Sequence, residues 1–116
     1  MVTERILMTT ETCICACDER GPGHANHHYK IYNNKSGDLL QEIKFQFGPI
    51  QENGVNGIQN EDLLGIVIDR LIGFQTGDYE CQENEVALHA CIDACAALQL
   101  RTAKRKSRGV EGKSEK

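Results

Sequence analysis

Residues 79–108 read YECQENEVALHACIDACAALQLRTAKRKSR, and this segment predicts one long helix. Its first turns are polar and acidic, its middle carries small apolar residues at helical spacing, and its end is basic. Acidic side chains at the start of a helix and basic side chains at its end complement the helix dipole. The small residues in the middle allow another helix to approach closely.

The basic end of this helix creates a charge asymmetry along the chain. Residues 101–116 contain seven Lys or Arg and two Glu, a net charge of +5. Residues 1–100 contain six Lys or Arg and fifteen Asp or Glu, a net charge of −9. A cluster of cations on an otherwise acidic protein predicts a site for an anionic ligand, and a phosphate-bearing ligand is the first candidate.

A shorter helix is predicted upstream, beginning at Asn60 and ending at Gly73 or Gly77. Asn60 is a favourable N-cap, and the two acidic residues that follow it lie where the helix dipole favours negative charge. Residues 63–72 (LLGIVIDRLI) are apolar on nearly all sides, which predicts a helix buried over most of its surface. The two helices together form a predicted helical hairpin.

Two alternating segments precede the helices. Residues 28–33 (HYKIYN) and 39–47 (LLQEIKFQF) predict strands, and the residues between them predict a turn. The sequence therefore predicts an α+β fold: a small antiparallel β-sheet followed by a C-terminal two-helix hairpin.

The chain divides into four predicted segments. These are a Cys/His-rich N-terminal arm (1–27), a small β-sheet with its loop (28–59), the helical hairpin (60–108) and a disordered tail (109–116). The arm shows no clear periodicity, so we expect it to be loosely ordered.

Three cysteines lie close together in the arm, Cys13, Cys15 and Cys17, and histidines follow them. Cysteine and histidine are the usual zinc ligands, but zinc knuckles place two residues between paired cysteines, whereas one intervenes here. In an extended strand this spacing directs all three thiols to one face. We favour a small polar strand or arm with incidental reduced thiols and no metal, and a zinc-binding interaction protein stays open as an alternative.

Length and composition bound the class of protein. A chain of 116 residues forms one domain with a modest core. No apolar run approaches the roughly 20 residues that cross a bilayer, and residues 1–12 lack the pattern of a signal peptide, so a cytosolic location is expected. No nucleophile–base pair or phosphate-binding glycine loop is recognisable, so the sequence predicts neither an enzyme nor a cofactor.

The long helix predicts self-association. At 1.5 Å per residue it spans about 40 Å, and the shorter helix covers less than half of that length. A two-stranded hairpin is marginal in water and cannot cover the rest. A second copy of the same helix is the simplest partner that could bury the remaining surface of the long helix, so a homo-oligomer is predicted.

Three stretches carry a resemblance to a known family: FQFGPIQENGVNGIQNEDLLGIVIDRLIGFQTG, CQENEVAL and RTAKRKSRGVEG. They are similar to small phage proteins that counter bacterial Thoeris and CBASS defence, known as anti-Thoeris or anti-CBASS sponges. The resemblance covers residues 28–112 and leaves the Cys-rich arm unexplained. It implies a non-catalytic protein that sequesters a nucleotide second messenger in the cytoplasm of the infected bacterial host.

The resemblance also implies a ligand site. Members of the anti-Thoeris type bind a cyclic ADP-ribose isomer made by a TIR-domain enzyme. By the spacing of the family pattern, Phe74 would stack on the base, Asn84 would bind a base or ribose edge, and Arg101 would stack or hold phosphate. Lys44 is the candidate for a further basic group that other members carry beside the strand that contains Phe45.

Geometry places these residues in different copies of the chain. Asn84 and Arg101 are seventeen residues apart on one helix, about 25 Å. In an antiparallel dimer, Arg101 of one subunit lies near Asn84 of the other. Arg105 and Arg108 follow Arg101 on the same face and would widen the anion site or serve a second one between dimers.

Alternatives stay open at this point. The basic helix end also fits a small nucleic-acid-binding phage protein, although the net charge of −4 disfavours it. The sequence leaves undetermined the exact ligand, the binding of cyclic di- or trinucleotides at a second site, the number of subunits (a dimer or a larger assembly such as a hexamer) and the role of the arm.

Overall fold

The computed structural model describes residues 4–109, with side chains described from residue 6. Four strands are followed by three helices, and a short 3-10 turn (Pro22–His24) lies between the second and third strands. The elements are β1 (Glu4–Met8), β2 (Thr12–Ala16), β3 (His28–Asn33), β4 (Leu39–Lys44), α1 (Ile50–Asn53), α2 (Asn60–Gln75) and α3 (Gln82–Ser107). The predicted α+β class, an antiparallel sheet followed by C-terminal helices, is confirmed.

The sheet is a four-stranded antiparallel meander with the order β1-β2-β3-β4. Strand β3 has the predicted bounds, and the turn between β3 and β4 is closed by Asn33, whose side chain accepts hydrogen bonds from the backbone N–H groups of Lys35 and Ser36. The expectation of a loosely ordered N-terminal arm is wrong, because β1 and β2 lie within that segment. The sheet therefore has twice the predicted number of strands.

The core of the sheet consists of the closely spaced cysteines. Cys13, Cys15 and Cys17 expose 5%, 8% and 5% of their surface, and Tyr32 on β3 packs against them. The predicted placement of the three thiols on one face agrees with this joint burial, and the sulfurs of Cys13 and Cys15 lie 3.7 Å apart. The thiols are structural core residues, which small polarizable side chains suit well.

Asp18 fastens the segment that connects β2 to β3. Its carboxylate accepts hydrogen bonds from the backbone N–H groups of His27 (3.0 Å) and His28 (3.2 Å). Burial acts to raise the pKa of Asp18, but these two hydrogen bonds, together with electrostatic attraction to His27 and a hydrogen bond with Asn26, hold the pKa below its ordinary value. The long connection is thus anchored at the point where β3 begins.

The loop between β4 and α2 is held together by two amide side chains, although its composition predicted only turns. Asn56 accepts from the backbone N–H of Phe47 (2.8 Å) and donates to the Phe47 carbonyl (2.9 Å). Gln46 accepts from the backbone N–H of Asn56 (2.9 Å). A side chain on Gly57 would place its Cβ 2.4 Å from the Phe45 carbonyl carbon, so only glycine fits there.

Helices α2 and α3 form the predicted hairpin. The backbone N–H of Gln59 donates to Asp62 at 2.8 Å, so the cap of α2 is Gln59 and not Asn60. The half-buried side chains of both helices recur every three or four residues, as expected of two helices packed along one stripe. They include Leu64, Ile68, Leu71, Leu88, Cys91, Cys95 and Leu98.

The expectation that α2 is buried on most sides is wrong for the single chain. No residue of α2 is buried, and Ile66 exposes 59% of its surface. On α3 the one buried residue is Arg105. The helices pack against each other along one stripe and leave apolar side chains on the remaining surface.

The chain divides into two compact units, Met1–Ile58 with the sheet and Gln59–Lys116 with the hairpin. Among the described residues, no helix is long and apolar enough to cross a membrane. The predicted disordered tail, apart from Gly109, lies outside the described residues.

Candidate functional site

The basic end of α3 forms a groove along one face of the helix. The lining side chains are Ala97, Leu100, Arg101, Lys104, Arg105 and Arg108, which recur at steps of three and four residues. Five of these residues belong to α3 and Arg108 is its C-cap, so the end of this helix supplies one wall of the groove. Four of them are cations and none is a carboxylate, which makes the groove suitable for an anion.

The structure brings together three of the predicted site residues in this groove, Arg101, Arg105 and Arg108. Arg105 exposes only 7% of its surface, whereas Arg101 and Arg108 are exposed. Lys104 lies between them and was not predicted as a ligand residue. Its position, three residues after Arg101 on the same helix, is the signal that could have found it.

Phe74 lies at the last turn of α2 and exposes 38% of its surface. The guanidinium carbon of Arg70 lies 5.4 Å from the centroid of its ring. Phe74 is therefore a surface aromatic in contact with a cation, and not the core residue that usually ends an apolar helix. Sequence reasoning missed Arg70, although its i,i+4 relation to Phe74 was visible.

Asn84 lies in the first turn of α3, at the end of the hairpin where Phe74 also lies. Its backbone N–H donates to the sulfur of Cys81 (3.4 Å), and its side-chain amide donates to the carbonyl of Tyr79 (3.3 Å). The cap of α3 is thus Cys81. These bonds fix the position of Asn84 relative to the turn between α2 and α3.

Gln75, the last residue of α2, is hydrogen-bonded to the start of α3 close to Asn84. Its side-chain amide accepts from the backbone N–H of Cys81 (3.0 Å) and donates to the carboxylate of Glu85 (2.9 Å). The hydrogen bond from Gln75, together with a second from His89, lowers the pKa of Glu85 below its ordinary value. Glu85 therefore stays ionised, and the hairpin turn has a defined geometry.

Three predicted ligand residues, Phe74, Asn84 and Lys44, do not line the groove. Asn84 and Arg101 lie on the same continuous helix, seventeen residues and therefore about 25 Å apart. Lys44 belongs to the sheet unit, where it ends β4 as an exposed residue and its carbonyl accepts from Ile58 (3.0 Å). One chain alone does not place Asn84 and Arg101 around one small ligand.

Metal ligands are not assembled in residues 4–109, where no group of three or more His, Cys, Asp or Glu side chains is arranged to hold an ion. The three cysteines proposed as the alternative zinc site pack in the sheet core instead. Their joint burial in the sheet core accounts for their spacing.

Comparison with known proteins identifies the helical part of the chain. The family described as Acb2/Tad1, hairpin domain, matches residues 38–103, which is more than half of the chain. This chain belongs to the Acb2/Tad1 hairpin-domain family. The predicted resemblance is therefore confirmed at the level of the family. Phe74, Asn84 and Arg101 lie in the matched range, and their roles in ligand binding stay predictions.

A curated relative supports the same assignment. The Thoeris anti-defense 1 protein of Bacillus phage SBSphiJ7 is 40% identical over 94 residues, which cover 81% of this chain. The match spans 66% of that protein, just under two thirds of its length. The hairpin of this chain therefore has a phage anti-defence relative and carries a groove lined by four cations.

Proposed function

We propose that this protein is a non-catalytic sponge that binds a cyclic nucleotide immune signal in the cytoplasm of an infected bacterium and thereby blocks anti-phage defence. The observation that carries the proposal is the four-cation groove of α3 on a hairpin that also presents an exposed aromatic ring. The name of the SBSphiJ7 relative supports Thoeris as the defence system. A cyclic ADP-ribose isomer made by a TIR-domain enzyme is therefore the first ligand to test.

The protein is proposed to form a homo-oligomer, because the hairpin of a single chain leaves apolar side chains exposed to solvent. Large apolar side chains of both helices are exposed in the single chain: Ile66, Val67, Ile72, Val86, Ile92 and Leu100. Burying such side chains against a second copy contributes about 25 cal/mol for each Å² removed from water. A closed symmetric assembly covers such faces without leaving new ones.

Exposed small residues on α3 support an antiparallel contact. Residues 87, 90, 94 and 97 are all alanine, all exposed, and spaced by alternating steps of three and four. This spacing makes one continuous stripe along the helix, and Arg101, Lys104 and Arg108 continue it. We call the four alanines the alanine stripe.

The alanine stripe also sets the register of the proposed contact. If two stripes pair antiparallel about their midpoint, Ala90 of one chain faces Ala94 of the other. Arg101 then lies beside the first turn of the partner α3, where Asn84 is. The proposed ligand site is therefore shared between copies, which resolves the separation of about 25 Å within one chain.

Each proposed ligand residue has a chemical role. Phe74 stacks on the base, Asn84 hydrogen-bonds a base or ribose edge, and Arg101 binds phosphate through its planar fork of donors. Arg105 and Arg108 either enlarge this anion-binding site or form a second anion-binding site that accepts cyclic di- or trinucleotides. Lys44 remains a prediction, which the ligand affinity of a Lys44→Ala variant tests.

A nucleic-acid-binding function is the second candidate, because the groove contains four adjacent cations. The two functions differ in their dependence on salt. Binding across many phosphates weakens steeply as salt rises, whereas a single enclosed ligand depends on salt far less. The net charge of −4 favours the small ligand.

The deciding experiment is a thermal shift assay of the purified protein with cyclic ADP-ribose isomers, cyclic di- and trinucleotides and short DNA and RNA. A ligand at about 100 times its Kd stabilises the folded protein by about 2.7 kcal/mol, so a true ligand raises the melting temperature by several degrees. Ligand recovered after denaturation should be chemically intact. Altered ligand would contradict the non-catalytic proposal, and a shift with nucleic acid alone would favour the second candidate.

A further inference from the structure

Arg70 lies against the ring that the proposed function assigns to the base. Arg70 and Phe74 are one turn apart on α2, so their side chains share a face of the helix. The distance of 5.4 Å between the guanidinium carbon and the ring centroid is within the range of cation–π attraction. Both side chains are exposed, so this contact lies on the surface of the hairpin and not in its core.

The charge of Arg70 is not neutralised by a nearby carboxylate. Among the described side chains of residues 6–109, Arg70 takes no part in the ion pairs His28–Glu42 and His89–Glu85 and forms no ion pair of its own. A guanidinium held only on an aromatic ring keeps its planar fork of donors for an incoming anion. A bidentate contact with phosphate is stronger than this ring contact, so an anionic ligand that reaches Arg70 will draw it away from the ring.

We propose that Arg70 is a ligand-binding residue that exchanges the Phe74 ring for the pyrophosphate of a nucleotide signal. In the free protein its guanidinium covers a face of the ring. In the complex the base stacks on that face, and the guanidinium moves to the phosphates beside it. This inference rests on the proposed function. It adds to that function a residue that makes the protein prefer a ligand with a base and phosphates to a ligand with a base and no phosphate.

The exchange gives opposite predictions for charged and uncharged ligands. For a cyclic ADP-ribose isomer, Arg70 is a phosphate ligand, so Arg70→Gln should weaken binding about tenfold to a hundredfold. For adenosine, Arg70 only competes for the ring, so the same variant should bind about twofold to fivefold more tightly. A residue that merely supports Phe74 would change both affinities in the same direction.

The experiment compares the wild-type protein with Arg70→Gln, Arg70→Lys and Phe74→Ala. Lys106→Gln is the matched control, because it removes one exposed cation of α3 outside the groove. Affinity for the cyclic ADP-ribose isomers is measured by calorimetry at two salt concentrations, and adenosine binding by ligand-observed NMR. Melting temperatures confirm that each variant is folded.

The inference is supported if Arg70→Gln weakens binding of the isomers and reduces its salt dependence, while Phe74→Ala weakens binding and leaves the salt dependence unchanged. Arg70→Lys should retain the salt dependence with an intermediate affinity, because it keeps the charge and loses the fork. Unchanged isomer affinity, an unchanged salt dependence or weaker adenosine binding in Arg70→Gln would each overturn the role of Arg70 and leave the proposed function intact. If the wild-type protein binds no isomer, both the inference and the proposed function fail.

Discussion

The sheet and the hairpin both expose large apolar side chains, but only the sheet also buries an apolar core. The sheet encloses a small core of its own, formed by Cys13, Cys15, Ala16 and Cys17. The hairpin has no buried apolar residue, and side chains as large as Ile66 and Leu100 face outwards. The ligand residues predicted on the hairpin are therefore on helices that bury no apolar side chain of their own.

This difference separates a scaffold from a surface for association. A unit that buries its own core is stabilised by local packing, whereas a hairpin with exposed apolar faces gains most of its stability from whatever covers it. Substitutions in the sheet should therefore change the free energy of unfolding, and substitutions in the hairpin should change assembly and ligand binding.

The largest expected effect is on assembly. Ala94→Glu places a charge in the alanine stripe at the centre of the proposed contact, where it would be buried without a partner. We expect the assembly to dissociate into smaller species, which light scattering coupled to size exclusion measures as a fall in mass. Ala25→Glu is the control, because it adds the same charge at an exposed alanine of the sheet unit. A mass equal to that of the wild type would remove the alanine stripe from the contact.

The next effect is on ligand affinity. Arg101→Ala removes a charged donor to phosphate, so we expect a loss of about tenfold to a hundredfold in affinity for a cyclic ADP-ribose isomer, with the assembly intact. Lys35→Ala, an exposed cation in the turn of the sheet, should bind as the wild type does. Affinity is measured by calorimetry, and an unaltered Kd in Arg101→Ala would exclude that residue from the site.

A smaller effect is expected in the sheet core. Cys15→Ser buries a hydroxyl where 8% of the side chain is exposed, which should cost about 2 kcal/mol of unfolding free energy. Cys91→Ser, at a half-buried position of α3, should cost less than about 1 kcal/mol. Urea unfolding at one protein concentration gives both values. Equal losses would contradict the contrast between an enclosed and an open unit.

The smallest effect concerns Asp18. Asp18→Asn weakens the acceptor for the N–H groups of His27 and His28, so we expect a loss of about 1 kcal/mol at neutral pH. Because the pKa of Asp18 is lowered by folding, its contribution is full above about pH 4 and disappears as the pH falls through the lowered pKa. The difference in unfolding free energy between the two proteins should therefore shrink on acidification. A difference that stays constant down to pH 2 would argue against the role of the carboxylate.

The regular elements were predictable where the contrast between apolar and polar residues is strong. Strand β3 alternates clearly, and α3 combines helical spacing with a matching charge gradient, so both were found. Strand β1 (ERILM) was missed because its residues do not alternate between polar and apolar, and strand β2 (TCICA) was missed because Thr and Cys differ little in polarity. Their role became visible only through the pairing of β2 with β3, which is a contact between distant residues.

The candidate site was predictable only in part. The cations of α3 follow one another on one helix face, so Arg101, Arg105 and Arg108 could be grouped from spacing alone. Arg70 and Gln75 were missed because their roles depend on where the side chain is directed: over the ring of Phe74 and across the hairpin to Cys81. Periodicity reports which face a residue occupies and not which neighbour it contacts.

The loop between β4 and α2 has a practical consequence for engineering. Its asparagines and glycines suggest a flexible tether that would tolerate an affinity tag or a protease recognition site. The side chains of Gln46 and Asn56 instead give the loop a defined conformation, and position 57 has no room for a side chain larger than that of glycine. An insertion in this loop would disrupt the hydrogen bonds that hold the chain after β4. The turn closed by Asn33 is exposed to solvent, so it is a better position for a tag.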